Sequence, residues 1–333
     1  MDASAFLLCP GRGSYGTEEL GTLARFVTEG GERARDLVQR LEELRAEQDP
    51  ELPGLHELDS AEKFQPSLHL AGQNAAALIL ACTLADAMLR QEECEPVLVG
   101  GNSLGFYSAL VVSGALPIEA GFRLVSTVAR LQEDGPRGGQ LLWTLIDEDW
   151  RVVAERVALL EEILSEQDED SARRIGVSIR LGGHVALAGD EESLGQLAKQ
   201  LPAVRLGKRD FPFRLPFHGP FHTALLEPVS RAAKEELQDL EIRPPSIPLV
   251  DGRGQVWSPL WTDPLELLDY TLGHQITRTF DFTATVRAGI LDFAPSELRC
   301  LGPGSSLRAP VGHVEKWLDR GWSFPEVPIA HVP

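Results

Sequence analysis

The sequence predicts an α/β fold built around one strand–turn–helix unit, with a smaller α+β unit inserted into it. Three observations carry this expectation. Val97 to Leu110 reads VLVGGNSLGFYSAL, an apolar run, a glycine turn and then apolar residues at helical spacing. Gln140 to Leu206 follows a different order, strand–helix–strand–strand–helix–strand. Between them, Gly135-Pro136-Arg137-Gly138-Gly139 is the strongest linker signal in the first half of the chain.

Taken in order, Ala5 to Cys9 is a short apolar strand that runs into the Gly-rich loop Pro10-Gly11-Arg12-Gly13-Ser14. Residues 17 to 62 are polar and acidic with helical periodicity, broken at Pro50 and Pro53. Leu68 to Leu89 is rich in Ala and Leu, which predicts a helix packed in the core; His69 reads as a packed or capping histidine rather than a ligand. Helices are expected after the glycine turn and over Ile118 to Gln132. In the insertion, strands are expected at Leu141 to Ile146, Ile175 to Arg180, Val185 to Ala188 and Val204 to Leu206. Helices are expected at Asp147 to Leu164 and Glu191 to Leu201, which together make a ferredoxin-like order. The chain then returns through FPFRLPFHGPFHT (Phe211 to Thr223). Beyond it the expected elements are a helix (Ala224 to Leu240), a strand (Ile247 to Val250) and a helix from Leu265 to Leu272 that ends at Gly273-His274-Gln275. A last helix spans Thr283 to Leu291, and the tail from Pro325 is irregular. The division this implies is 1–138 with 210–333 as the large part and 139–209 as the small one.

With 333 residues the chain is long enough for one large domain or two smaller ones. Its 50 acidic and 31 basic residues leave a net charge of −19, which argues against non-specific binding to nucleic acid or to an anionic membrane. The apolar runs are broken short of membrane-spanning length, and the N-terminus MDASAFLLCPGRGS lacks a basic leader. Cys9, Cys82, Cys94 and Cys300 are scattered without metal-ligand spacing. A cytoplasmic protein with reduced cysteines and no bound metal is expected.

Gly101 and Gly105 flank Ser103 in the G-x-S-x-G spacing of a nucleophile elbow. A serine on a sharp strand-to-helix turn projects its hydroxyl outward, and small residues two positions to either side allow the turn. The N–H groups at the start of the following helix are available to an oxyanion. The pentapeptide alone also fits an ordinary Gly/Ser turn; the strand before it and the helix after it favour the nucleophile.

Several stretches together resemble the malonyl-CoA:acyl carrier protein transacylases and related acyltransferases of fatty acid and polyketide synthesis. PGRGS at Pro10 to Ser14 is similar to that family's P-G-Q-G-S loop, Phe64-Gln65-Pro66 to its T-Q-P segment, and GNSLGFYSAL to G-H-S-L-G-E-Y-S-A-L. PFHTALLEP (Pro220 to Pro228) resembles the segment with the family's catalytic histidine, Gln275 stands where the family has a glutamine, and Gly302-Pro303-Gly304 matches another signature. The resemblance covers nearly the whole chain and implies an α/β-hydrolase-like core with an inserted ferredoxin-like subdomain. It implies Ser103 as nucleophile, His222 as base with His218 as the rival, and the Gln275 carbonyl as the group that orients the histidine. The backbone N–H groups of Leu104 and Arg12 would form the oxyanion hole. It implies acyl carrier protein or acyl-CoA as partner, a monomer, and no cofactor.

The departures bear on the acyl group. Aligning Arg123 to Val125 puts Val128 where malonyl-transferring members carry the arginine that binds the free carboxylate, and valine offers no such fork. Arg130, two residues on, faces roughly the other side of a helix. Asn102 replaces the histidine before the nucleophile, Phe106 replaces the glutamate after S-L-G, and Arg12 replaces the loop glutamine. These positions, with Gln65 and Arg180, are the expected substrate contacts, and Arg12 or Arg180 is a candidate for a replacement cation. An acyl group without a terminal carboxylate is expected; an ordinary malonyl transferase using another cation is the alternative. A proofreading acyl hydrolase, with water in place of the second thiol, is a further one, and a non-catalytic carrier-binding module fits less well because Ser103, His222 and Gln275 are all present. Arg205, Lys208 and Arg209, with Arg214, form the densest basic run and the candidate docking surface for an acidic carrier.

Overall fold

The structure is a computed structural model that describes residues 3–166 and 175–325. The strands in chain order are β1 (Ser4–Cys9), β2 (Glu95–Gly101), β3 (Gly139–Thr144), β4 (Ile175–Leu181), β5 (His184–Gly189) and β6 (Val204–Leu206). They continue with β7 (Arg209–Phe211), β8 (Phe213–Arg214), β9 (Leu249–Val250), β10 (Val256–Trp257), β11 (Phe280–Asp281) and β12 (Glu297–Cys300). They form two five-stranded sheets, ordered β10-β9-β2-β1-β12 and β11-β4-β5-β3-β8, and the separate hairpin β6-β7.

The larger sheet is parallel apart from its β10 edge. β1 and β2 lie at its centre, and the continuous apolar run Ala5 to Cys9 is fully buried, as a strand covered on both faces must be. The helix Gly72–Glu93 packs beside them and has no polar face over most of its length. By length and composition it could cross a membrane, contrary to the expectation that no run is long enough. However, 83% of its apolar window is buried inside the fold, so the same apolarity is used as core. Its Thr83 donates to the Gly302 carbonyl (2.9 Å), and its Asp86 accepts from the Gly302 N–H (2.7 Å), which pins the Gly-Pro-Gly loop.

In the smaller sheet, β8-β3-β5-β4 is the 4-1-3-2 antiparallel order of a ferredoxin-like unit, with β11 added in parallel at the β4 edge. Its fourth strand is not Val204 to Leu206. That segment turns back at Gly207 (φ 58°) and Lys208 into a two-residue hairpin with β7, and the chain enters the sheet only at Phe213. The first helix of the unit begins at Ala154, not Asp147, because the Asp147 carboxylate accepts the N–H groups of Asp149 and Arg151 (2.9 Å each) and holds a turn there. The helix Pro264–Asp269 also does not end at Gly273-His274-Gln275. It continues through a π-helical turn, Tyr270–His274, into Gln275–Thr277. β10, β12 and the helix Arg308–Arg320 were not expected. From residue 326 the tail lies outside the described residues.

Candidate active site

The site begins where β1 and β2 end side by side. Cys9 is in register with Gly101, and the Asn102 N–H donates to the Cys9 carbonyl (3.0 Å). The two loops that leave these strand ends therefore emerge together, at the carboxyl edge of a parallel sheet. Their contact leaves no room for side chains. A Cβ on Gly105 would lie 2.1 Å from the Cys9 carbonyl oxygen, and one on Gly101 would lie 2.3 Å from the Gly105 backbone. Ser103, between them, adopts φ 54°, ψ −114° ahead of the helix Leu104–Val112. This is the strained elbow that the spacing predicts.

His222 also has a positive φ (56°) and is buried. Its Nε2 lies 2.7 Å from Ser103 Oγ, and its Nδ1 lies 2.7 Å from the Gln275 carbonyl oxygen. A carbonyl can only accept, so Nδ1 carries the proton and Nε2 is the free base that faces the hydroxyl. Burial lowers its pKa to about 4, opposed by the Gln275 carbonyl and reinforced slightly by His274, so the imidazole is neutral at pH 7. Gln275 has a second role that the sequence did not suggest. Its side-chain Nε2 donates to the Ser103 carbonyl (2.9 Å), so one residue braces both members of the pair. The π-helical turn brings Gln275 to this position, and Phe106 packs edge-to-face on Tyr270 of that turn (5.1 Å). Among the described residues, neither the Leu104 nor the Arg12 backbone N–H has a hydrogen-bond partner, as an oxyanion hole requires.

His218, the rival base, is turned away from this role: its Nδ1 is bound to the Pro216 carbonyl (2.8 Å) and it stands on the cavity wall beside the Arg12–Gly13 loop. The cavity over Ser103 holds about 550 Å³. One wall is apolar, from Leu142, Ile179, Leu181 and Ala186 of the small sheet with Phe211 and Phe213, and the opposite wall is the Gly11 to Glu19 loop with Asn102. Asn102 is buried, and its Oδ1 has no hydrogen-bond partner among the described residues.

Four expected substrate contacts are not on this cavity. Phe106 is fully buried beneath the elbow. Val128 is buried in the core of the helix Ile118–Glu133, where its methyl groups end among apolar neighbours. Gln65 is exposed, and only its backbone is engaged, with the His69 ring. His69 is the buried, capping histidine the sequence suggests, bound also to the Leu58 carbonyl (3.0 Å). Arg180 alternates with Ile179 and Leu181 on β4, faces the other side and pairs with Asp281 (2.9 Å). Arg130 is likewise paired, with Glu236. Arg12 does line the cavity; its guanidinium lies over the Phe221 ring (5.1 Å), makes one long bond to the Leu70 carbonyl (3.3 Å), and has its pKa lowered to about 10 by burial, opposed by Glu133. Of the candidate docking residues, Arg205, Lys208 and Arg209 sit on the β6-β7 hairpin and Arg214 on β8. Arg205 pairs with Asp210 (3.0 Å) and Arg214 pairs with Glu191, while Lys208 is exposed at the turn and Arg209 is at the cavity mouth over Phe213. His184 was missed altogether, although it lines the same cavity.

No family model matches the chain. A polyketide-biosynthesis malonyl CoA-acyl carrier protein transacylase of Bacillus subtilis is 24% identical over 228 residues, which cover 68% of this chain and 73% of that protein. A malonyl CoA-acyl carrier protein transacylase of the same organism is 23% identical over 247 residues, covering 74% of this chain and 73% of the relative. Among solved structures, the malonyl-CoA:acyl carrier protein transacylase of Xanthomonas oryzae matches with a TM-score of 0.75 at 21% identity, over 95% of this chain and 92% of that one. A malonyl-transacylase solved in complex with a type II polyketide synthase acyl carrier protein matches with a TM-score of 0.72 at 22% identity, over 94% of each chain. In sequence and in fold, an α/β-hydrolase-like core with a ferredoxin-like subdomain, the chain resembles the malonyl-CoA:acyl carrier protein transacylases.

Proposed function

We propose that the chain is an acyltransferase that moves an acyl group between thioesters of acyl carrier protein or coenzyme A through an acyl-Ser103 intermediate. The observation that carries this is the line from Ser103 Oγ through His222 to the Gln275 carbonyl, with 2.7 Å at each contact. Oγ attacks the thioester carbonyl while His222 Nε2 takes its proton. The oxyanion accepts hydrogen bonds from the Leu104 and Arg12 N–H groups. The C–S bond breaks, and the departing sulfur takes the proton from His222. A second thiol reverses the sequence, giving ping-pong kinetics.

The acyl group we infer lacks a free carboxylate. Val128, Arg130 and Arg180 all stand off the cavity, and the wall that would hold the acyl chain is mainly apolar, with Arg209 only at its mouth. A carboxylate buried there without a cation would be costly. One observation favours a second reading. The Arg12 guanidinium on the cavity wall has a single long hydrogen bond, which leaves donors for a malonyl carboxylate. Lys208 and Arg209 are the proposed contacts for an acidic carrier; Arg205 is neutralised by Asp210.

Intact-mass measurement after mixing with acetyl, butyryl and malonyl thioesters tests this. Mass added to the wild type but not to Ser103→Ala supports the acyl-serine. Malonyl loading that Arg12→Met abolishes would establish the second reading instead. A second thiol acceptor separates transfer from hydrolysis, because free acid as the sole product would make the protein a hydrolase.

A further inference from the structure

His184 is the first residue of β5, directly after the Gly182-Gly183 turn, and it faces the cavity with Ile179, Leu181 and Ala186. That wall is otherwise mainly apolar: its other polar side chains are Gln140, which donates to Ser178, and Arg209 at the mouth. The imidazole is held by its faces and edges. It stacks on Phe211 (5.3 Å, 16°) and meets His313 edge-on (5.4 Å). Neither ring nitrogen has a hydrogen-bond partner among the described residues, and of the two only Nδ1 is sealed from solvent. Burial and Arg209 keep the ring neutral, so it carries one proton. A sealed N–H without a partner is rarer and more costly than a sealed lone pair, which puts the proton on Nε2, the nitrogen open to the cavity. His313 does not compete for it, because its own Nδ1 accepts from the Gly183 N–H (3.0 Å). A neutral donor is thus fixed in a mainly apolar wall with no acceptor for it among the described residues.

We propose that His184 determines specificity by donating from Nε2 to an oxygen on the acyl chain, so that the site prefers hydroxyacyl or oxoacyl groups over saturated chains of the same length. This rests on the acyl-serine reading above. A hydrocarbon chain leaves the donor unmatched, whereas an oxygenated one satisfies it, and a site built to bond an oxygen rejects the analogue that lacks it. Amide carbonyls of the pantetheine arm are acceptors too, and the test separates the two sources.

The test uses matched pairs, butyryl with 3-hydroxybutyryl and with 3-oxobutyryl, each as a pantetheine thioester and as a simple ethyl thioester. Acylation of Ser103 is followed by intact mass. The wild type is expected to favour the oxygenated member by about tenfold on either thiol. His184→Phe keeps the stacked ring and should bring that ratio to about one, while His184→Gln, which keeps a donor, should retain part of it. A ratio near one in the wild type, or an unchanged ratio in His184→Phe, overturns the proposal. So does a loss in His184→Phe that is equal for all chains and confined to pantetheine thioesters, which would assign the donor to the arm. The same ratio is read as relative Kd on the Ser103→Ala variant by calorimetry. Absence of acylation would therefore defeat the acyl-serine chemistry, while the binding ratio still decides the role of His184.

Discussion

The two sheets that meet at the cavity are built differently and, on the proposed function, would do different work. At the ends of β1 and β2 the backbone is crowded: a Cβ on Gly105 would stand 2.1 Å from a carbonyl oxygen, and Ser103 and His222 both sit at positive φ. In the small sheet, Gly176 of β4 would accept a Cβ with nothing within 4 Å, although just before β3 one on Gly138 would meet the Gly189 carbonyl oxygen at 2.3 Å, and most cavity-facing residues are alternating apolar side chains. Chemistry that depends on hydrogen bonds of 2.7 Å needs a rigid support, and the parallel sheet's strand ends provide it through backbone contacts. Selecting an acyl chain needs only shape and a few polar points, and these change one side chain at a time on a regular sheet.

If this division holds, the largest effects come from the elbow. Ser103→Ala and His222→Ala should each lower kcat about 10⁴-fold or more, and the double variant should be little worse, because the pair acts as a unit. Steady-state kinetics on all three check this. Gly105→Ala should destabilise the fold by about 1–3 kcal/mol through overpacking, whereas Gly176→Ala should change it by less than about 1 kcal/mol. Equal shifts in denaturant midpoint would remove the contrast between the sheets. In the small sheet, Phe213→Ala should change kcat/KM for a long acyl thioester by about tenfold while leaving acetyl within about twofold. Equal losses on both would mean the wall supports the catalytic pair instead of the chain.

The pH dependence separates the two regions less sharply, because burial lowers His222, His218 and His184 alike, each to about 4. Groups with a depressed folded pKa favour the folded state above their unfolded value. Stability should therefore be complete above pH ~6.5 and be lost as pH falls through about 4. The kcat/KM profile should be flat around neutrality and fall only on approaching pH ~4, as His222 takes a proton. An inflection near 6.5 would contradict a buried neutral base. The smallest effect is expected at the hairpin. Lys208→Glu should slow reaction with carrier-bound thioesters about threefold and leave coenzyme A thioesters unchanged.

Some of this was legible before any coordinates. His222 and Gln275 were reached only through the family resemblance, whereas Ser103 carries a local signature, a glycine-flanked serine between an apolar run and a helical pattern; the structure brings the three together. The ferredoxin-like order was also legible from local pattern, except where a two-residue turn at Gly207 moved the last strand to Phe213. Phe106, Val128, Gln65 and Arg180 were misplaced because an aligned position does not say which way a side chain points: Arg180 shares a strand with two wall residues and faces away from both. His184 lies in an unremarkable strand, and only the packing of Phe211 and His313 around it points to the role proposed for it.

By itself the sequence determined the elements whose cause is local: apolar periodicity, the glycines that permit the elbow, and the turn chemistry between strands. Tertiary structure alone decided which loops meet, that the Gln275 side chain also braces the Ser103 carbonyl, and that, among the described residues, the arginines other than Arg12 and Arg209 stand away from the cavity. Those outcomes depend on contacts such as Ser103 with His222 and Gln275, 119 and 172 residues apart in the chain, and no local pattern encodes the distance between them.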